Sequence, residues 1–365
     1  MININFKANY KILHFTNEIG KYMAGGIATY IDQLYKHHTE DTGFVHFYDD
    51  EILTDIRIES YPGIKDILSV SYKEIGRLKE INFQIAIVHF YGLSFIAEEE
   101  ILKNKKLVYV VHSVPATEPY AIEDPFGGNY QIQKDFETLS YRADAIICVL
   151  EAEKEKLKSL YPELENKIYV IHNGMEFDSA DSIKRNVKPT RRNFGFIGRL
   201  DYRKGLLECI KAFKKIDGEL HIACDNQDPF YLSAILNYIE AAEMQNKIHF
   251  YGWCHGERKK AFLNSLDALI IPSLYEPFGY VVLEAINAKT PVITSRNGGI
   301  SEIIGEYKYT FDPYQEGELE KAIKTFQEDT VEEIEKEMEK LYKRKELFTA
   351  QKMVEKYTDL FNSLL

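Results

Sequence analysis

The stretch DSADSIKRNVKPTRRNFGFIGRL, residues 178–200, contains a break and a restart. Residues 178–193 are polar and basic, hold one proline and show no apolar periodicity, which is the composition of a linker. NFGFIGRL (193–200) is then a short aromatic and aliphatic run that predicts a strand, with a helix from Leu206 behind it. Upstream, KILHFT (11–16) predicts a strand and IATYIDQLYKHH (27–38) the helix after it. Further strands are predicted over QIAIVHF (84–90), KLVYVVHS (106–113), DAIICVL (144–150) and KIYVIHN (167–173). Downstream the same alternation gives ELHIAC (219–224), KIHFYGW (247–253), DALIIPS (267–273) and PVITS (291–295). Short runs of this kind, separated by longer segments at helical spacing, are the pattern of βα units around a buried parallel sheet. Two α/β units of similar size therefore flank one linker. The chain from Thr330 is helical and highly charged, and Thr349 is the expected N-cap of a last helix. Met353, Tyr357, Leu360, Phe361 and Leu364 form one apolar stripe on it, at i, i+3, i+4 spacing.

The composition agrees with two domains. The 365 residues are 45% hydrophobic and 28% charged, as in ordinary globular proteins, which excludes disordered, collagen-like and coiled-coil readings. Fifty-seven acidic against 45 basic residues leave a net charge of −12, so no nucleic-acid partner is expected. No apolar run is long enough to span a bilayer, and MININFKANYKILHF lacks the charged and apolar regions of an export signal. Cys148, Cys209, Cys224 and Cys254 are widely spaced with no CxxC pair, so neither a disulfide framework nor a zinc site is expected, and a cytoplasmic location fits.

Several turns carry residues suited to an anionic ligand. Gly25-Gly26 lies between the first strand and its helix, where a close backbone approach and a helix N-terminus suit phosphate; a plain βα turn explains the pair equally well. In GRLDYRKG (198–205), Arg199 and Lys204 sit at the carboxyl end of a strand, where open α/β sheets bind ligands, and two cations there suit a diphosphate. Arg203 reads as a solvated surface charge. PSLYEPFGYVVLEAI (272–286) places Glu276 on a short loop and leads through Phe278-Gly279 into a helix. Glu284 stands two turns inside that helix on an apolar stretch, where a carboxylate needs a hydrogen-bonding partner. A buried salt bridge would supply one, and so would a ligand diol. Gly298-Gly299 in SRNGGISE (295–302) make another strand-to-helix turn with exposed N–H groups, and Glu302 complements the dipole of the next helix. His112 ends the strand KLVYVVHS at its carboxyl edge.

Taken together, GG (25–26), HSV (112–114), VIHNGME (170–176), GRLDYRKG, HFYGW (249–253), EPFGYVVLEA and NGGISE resemble the retaining nucleotide-sugar glycosyltransferases of family 4, in the glycogen-synthase-like superfamily. The resemblance covers nearly the whole chain with the motif order preserved, and Glu276 and Glu284 match the family's E-x7-E signature. It implies a GT-B architecture, two Rossmann-like parallel-sheet domains facing across a cleft. By this likeness residues 1–177 form the N-terminal acceptor domain, 178–192 the linker, 193–348 the donor domain, and 349–365 a helix crossing back to the first. It further implies that Arg199 and Lys204 hold the donor diphosphate and that Glu284 takes the ribose hydroxyls. Glu276, with the Phe278–Gly279 backbone, would contact the transferred sugar, His112 would touch it, and the Gly25-Gly26 loop would meet the phosphates. The family also departs from this chain in places: Lys289 replaces the usual Gly after a helix, at a cost under about 1 kcal/mol. ACDNQDP (223–229) lacks the usual Gly-rich turn, and HNGME has His172 for Pro and Glu176 for Asp.

The reaction so implied moves a hexose-type sugar from a nucleoside-diphosphate sugar to an acceptor hydroxyl on a glycan, glycolipid or small glycoside. Fixed cations stabilise the leaving diphosphate. With no D-x-D segment, no metal or other cofactor is expected. A catalytically silent partner subunit and a nucleotide-sugar epimerase are the competing readings; the retained cations and E-x7-E argue against both. The aromatic and acidic stretch 115–137, with Tyr120, Phe126 and Tyr130, is a candidate acceptor loop, a packed loop being the plain alternative. Lys184, Arg185, Lys188, Arg191 and Arg192 would allow peripheral contact with an anionic membrane and a lipid-linked acceptor, although a solvated linker accounts for them as well.

Overall fold

In each half of the chain the β-branched and aromatic runs pair side by side in parallel, and longer amphipathic segments return the chain over the faces of the sheet. The computed structural model describes residues 7–19, 25–39, 41–48, 66–117, 128–178, 191–225 and 228–365. The chain divides into two compact units, Met1–Glu176 with Phe348–Leu365, and Phe177–Leu347.

The first unit runs β1 (Ile12–Thr16), α1 (Gly26–His37), β2 (Thr42–Tyr48), β3 (Ile67–Ser71), β4 (Ile85–Val88), β5 (Lys106–Val111), α2 (Gly128–Arg142), β6 (Ala145–Cys148), α3 (Glu151–Leu160) and β7 (Ile168–Val170). Its seven strands lie in the order β3-β2-β1-β4-β5-β6-β7, all parallel. β1, β4 and β6 are buried along their whole length, as expected of a sheet covered on both faces. Two of these strands, β2 and β3, are absent from the sequence prediction. Gly43, within β2, leaves room for its neighbour on β1, since a Cβ there would lie 2.9 Å from Leu13 Cδ2, and the serines of ILSVS blur β3. The predicted strand over 167–173 shrinks to three residues.

The second unit runs β8 (Asn193–Gly198), α4 (Leu206–Ala212), β9 (Glu219–Cys224), α5 (Pro229–Ala241), β10 (Ile248–Phe250), α6 (Gly256–Ser265), β11 (Ala268–Ile271), α7 (Tyr280–Asn287), β12 (Val292–Ser295), α8 (Ile300–Ile304), β13 (Thr310–Phe311), α9 (Glu318–Glu328) and α10 (Val331–Arg344). Its six parallel strands lie in the order β10-β9-β8-β11-β12-β13. Numbered from β8, that is 3-2-1-4-5-6, the doubly wound order, and its direction reverses between β8 and β11. Local chemistry sets the helix starts: Asp228 caps α5 with Pro229 at its first position, and Thr330 and Glu333 form a reciprocal capping box on α10. Lys289, just past α7, takes φ of +54°, the left-handed conformation that glycine adopts more readily.

The last helix, α11 (Ala350–Leu364), belongs to the first unit. Thr349 caps it by accepting the Lys352 N–H, and Met353, Tyr357, Leu360 and Phe361 are buried, whereas Leu364 is half-buried. The Tyr357 hydroxyl hydrogen-bonds that of Tyr30 on α1, and backbone hydrogen bonds of 2.9 and 3.0 Å tie Met175 to Phe348 and Ala350.

Of the linker cations, Lys184, Arg185 and Lys188 lie outside the described residues; of the other two, Arg191 is not a solvated charge, whereas Arg192 is exposed. Arg191 is buried and donates to the carbonyls of Phe326 and Gln327 at 3.0 Å, sealing the end of α9; Arg192 pairs with Asp217 at 2.6 Å. Tyr120 and Phe126 also fall outside the described residues, while Tyr130, on α2, is exposed. The four cysteines are buried free thiols. No helix among the described residues is long and apolar enough to cross a membrane.

Candidate active site

The loops leaving β8 and β11 emerge at the point where the strand order of the second unit reverses, and they are fastened to each other. Gly205 holds φ of +67°, and a Cβ on it would stand 2.1 Å from the Pro272 carbonyl oxygen, so only glycine lets the two loops touch. The Leu274 N–H donates to the Arg203 carbonyl at 2.7 Å. This contact brings the Lys204 ammonium onto the Glu276 carboxylate, where Lys204 donates a hydrogen bond. Both side chains are largely buried, at 20% and 13% exposed. Ser273 approaches the same carboxylate oxygen at 3.5 Å.

Arg199 is half-buried at the end of β8, and among the described residues no carboxylate is ion-paired with it. Arg203 does have a carboxylate partner: Asp201 accepts from its Nε at 2.9 Å, and that guanidinium holds the Asp201 carboxyl below its ordinary range against the opposing effect of burial. The sequence reading of Arg203 as a solvated charge is corrected accordingly. Asp225, beyond β9, accepts the Leu200 N–H at 2.8 Å and so braces the same loop from the other side.

The Gly298-Gly299 turn differs from expectation. Gly299 donates its N–H to the Glu276 carbonyl at 2.8 Å, so this group is not open to a ligand. Gly298 has φ of +64°, and a Cβ on it would lie 2.2 Å from that same carbonyl oxygen. The pair therefore clamps the Glu276 loop. Gly279, with φ of +105°, is the N-cap residue of α7, and the Phe278 ring packs on Tyr280 with centroids 4.9 Å apart. Glu302 lies in the first turn of α8; it and Ile303 give their carbonyls to Arg344, at 2.5 and 2.8 Å.

Glu284 meets a residue that sequence reasoning missed. Lys259, on α6, donates to its Oε1 at 2.6 Å. Nothing in GERKKAFLNS separates Lys259 from its charged neighbours; only the fold singles it out.

In the first unit, the Glu18 carboxylate stands at the α1 N-terminus, which the sequence left open for phosphate. It accepts the Ala28 N–H at 3.2 Å, and a Cβ on Gly25 would lie 2.8 Å from it. Gly25 and Gly26 are thus the N-cap and first residue of α1, with Glu18 as the capping group. His112, half-buried just past β5, adjoins the buried His14 and His89 of neighbouring strands. His14 and His89 hydrogen-bond at 2.8 Å, His89 and His112 have centroids 6.1 Å apart, and Tyr30 packs edge-on against His112 at 4.9 Å. Burial pushes His112 and His14 down to about 3 and His89 well below its ordinary value, so all three are neutral at physiological pH. The loop after His112 is held by buried Glu153, which accepts the Val114 N–H at 3.1 Å.

Two family models together match residues 24–347. "Glycosyltransferase Family 4" matches residues 24–179, and "Glycosyl transferases group 1" matches residues 178–347. An uncharacterized glycosyltransferase of Methanocaldococcus jannaschii is 31% identical over 249 residues, covering 64% of this chain and 62% of that protein. Alpha-maltose-1-phosphate synthase of Mycobacterium tuberculosis is 27% identical over 224 residues, 56% of this chain and 57% of that one. The matches to these two relatives thus span about three-fifths of their length. Among solved structures, Anabaena HepE in complex with UDP-glucose superposes with a TM-score of 0.77 at 15% identity, over 97% of this chain and 100% of that one. The two parallel-sheet Rossmann-like units, the matched models and these relatives establish that the chain belongs to the family-4 glycosyltransferases, of GT-B fold.

Proposed function

We propose that the protein transfers a hexose-type sugar from a nucleoside-diphosphate sugar to an acceptor hydroxyl, with retention of anomeric configuration and without a metal ion. The observation that carries this reading is the Lys204–Glu276 contact at the strand-order reversal of the second unit, on the loop that Arg199 opens. A departing nucleoside diphosphate gains negative charge as the anomeric C–O bond breaks, and two fixed cations in a largely dry site stabilise it. Lys204 and Arg199 hold the diphosphate, Glu276 turns to the sugar hydroxyls once Lys204 is drawn to phosphate, and Glu284 accepts from the ribose. The new C–O bond forms on the face the diphosphate leaves, and the acceptor proton goes to a departing phosphate oxygen; no protein nucleophile is required.

The name of the alpha-maltose-1-phosphate synthase relative makes sugar phosphates the first acceptors to examine. The test is release of nucleoside diphosphate from UDP-, GDP- and ADP-hexoses in EDTA, with and without sugar-phosphate, glycan and lipid-linked acceptors. Acceptor-dependent release with an α-linked product supports the proposal. A requirement for Mn²⁺ or Mg²⁺ contradicts its metal-free part, and epimerised donor without transfer contradicts the whole.

A further inference from the structure

We propose that Lys259 is a specificity-determining residue that, together with Glu284, recognises the vicinal 2′,3′-diol of the donor nucleoside. The inference rests on the ribose role given to Glu284 above and adds to it a partner with the opposite hydrogen-bonding character.

Position comes first. α6 starts just past β10 and carries the chain back to β11, so its first turn, where Lys259 stands, lies by the carboxyl edge of the sheet. Glu284 is in the second turn of α7, which starts from that same edge. The Lys259 ammonium and Glu284 Oε1 are 2.6 Å apart, and their side chains are 28% and 19% exposed. Such a pair lies too deep to be the freely solvated ion pair that contributes next to nothing, yet it keeps a face open to solvent.

Hydrogen-bonding capacity comes second. An ammonium has three N–H donors and a carboxylate about four acceptor sites. Among the described residues each group spends one of these, on the other. Two donors and about three acceptor sites remain at one spot. A vicinal diol offers two O–H donors and two acceptor oxygens, so it can donate both protons to Glu284 while one oxygen accepts from Lys259. A lone carboxylate satisfies only the first half of that pattern. A 2′- or 3′-deoxynucleotide loses a donor and an acceptor together, leaving a charged and partly buried group short of a partner, which is the costly case.

The experiment is calorimetric titration of UDP, GDP and ADP, followed by the 2′-deoxy and 3′-deoxy forms of whichever binds. The proteins are the unaltered chain, Lys259→Met, Lys259→Arg and Glu284→Gln, each with its melting curve. In the unaltered chain, removing either hydroxyl should weaken binding about 10-fold or more. In Lys259→Met the intact nucleotide should bind about 10-fold more weakly, and one of the two deoxy forms should bind within about threefold of it. Lys259→Arg, which keeps a donor, should restore most of that discrimination and so separates recognition from folding. Full discrimination against both deoxy forms in Lys259→Met overturns the role of Lys259 alone. Absence of discrimination in the unaltered chain, with Glu284→Gln binding normally, overturns the ribose reading of Glu284 and this inference with it.

Discussion

Lys204 donates a hydrogen bond to Glu276 although 72 positions separate them, and four backbone features make the meeting possible. Gly205 admits the Pro272 carbonyl, Arg203 accepts from Leu274, Gly299 donates to the Glu276 carbonyl, and Gly298 leaves room for that same oxygen. The carboxylate offsets the cost of holding a cation in a largely buried site, and under the proposed function a diphosphate would take its place on the ammonium.

Gly205→Ala tests that fastening. A methyl group 2.1 Å from the Pro272 oxygen, at φ of +67°, cannot be accommodated without parting the loops. The variant should lose about 1–3 kcal/mol of stability in denaturant unfolding. Its nucleotide affinity should fall with it, because Lys204 and Glu276 no longer share one site. Unchanged affinity would mean that the loop contact does not position them.

Acid should destabilise the first unit through its histidines. His14 and His112 are pushed down to about 3, His46 to about 4, and His89 well below its ordinary value, all chiefly by burial, whereas the unfolded chain titrates near 6.5. Between these limits the unfolded chain binds more protons than the folded one. Stability is therefore full above about pH 6.5 and is lost as pH falls toward 3–4, by about 1 kcal/mol per pH unit for each histidine. Urea unfolding at pH 7 and pH 5 should show the loss, and His46→Gln should reduce it by close to one proton's worth. Equal pH slopes in the two proteins would contradict the assignment.

Glu18 occupies the helix terminus assigned to phosphate. Glu18→Gln removes a negative charge from the α1 N-terminus while keeping the side chain's shape. If the Gly25-Gly26 turn contributes to diphosphate binding, affinity should rise about two- to fivefold, the usual scale of such a charge effect, with a loss of up to about 1 kcal/mol in stability. Unchanged or weaker binding would remove this turn from the donor site.

Much of this was legible in the sequence because it resides in local pattern. The buried runs of β1, β4, β5, β6 and β11 announce a parallel sheet, and Arg199, Lys204, Glu276 and Glu284 stand in motifs whose spacing survives without any structure. What escaped depends on who packs against whom. β2 went unpredicted, and the reason for a glycine at 43 appears only when Leu13 and Tyr10 are seen against it. Arg191 looks like one more linker cation until its guanidinium is found on the carbonyls ending α9. Gly298-Gly299 read as a turn with exposed N–H groups, yet the Gly299 N–H is held by the Glu276 carbonyl, because an N–H looks free in sequence until its acceptor is known. Lys259 and Glu18 carry no motif; each matters through a carboxylate geometry that arises only in the fold.

The most direct test of a diphosphate site built on Lys204 is calorimetric titration of UDP, GDP, ADP, dTDP and CMP into the purified protein and its Lys204→Ala variant. Loss of one charge-assisted hydrogen bond is of order 1.5–3 kcal/mol, so one diphosphate should bind selectively and about 10- to 150-fold more weakly to the variant. Equal affinity of the two proteins for that diphosphate, or binding of none by either, would contradict the account.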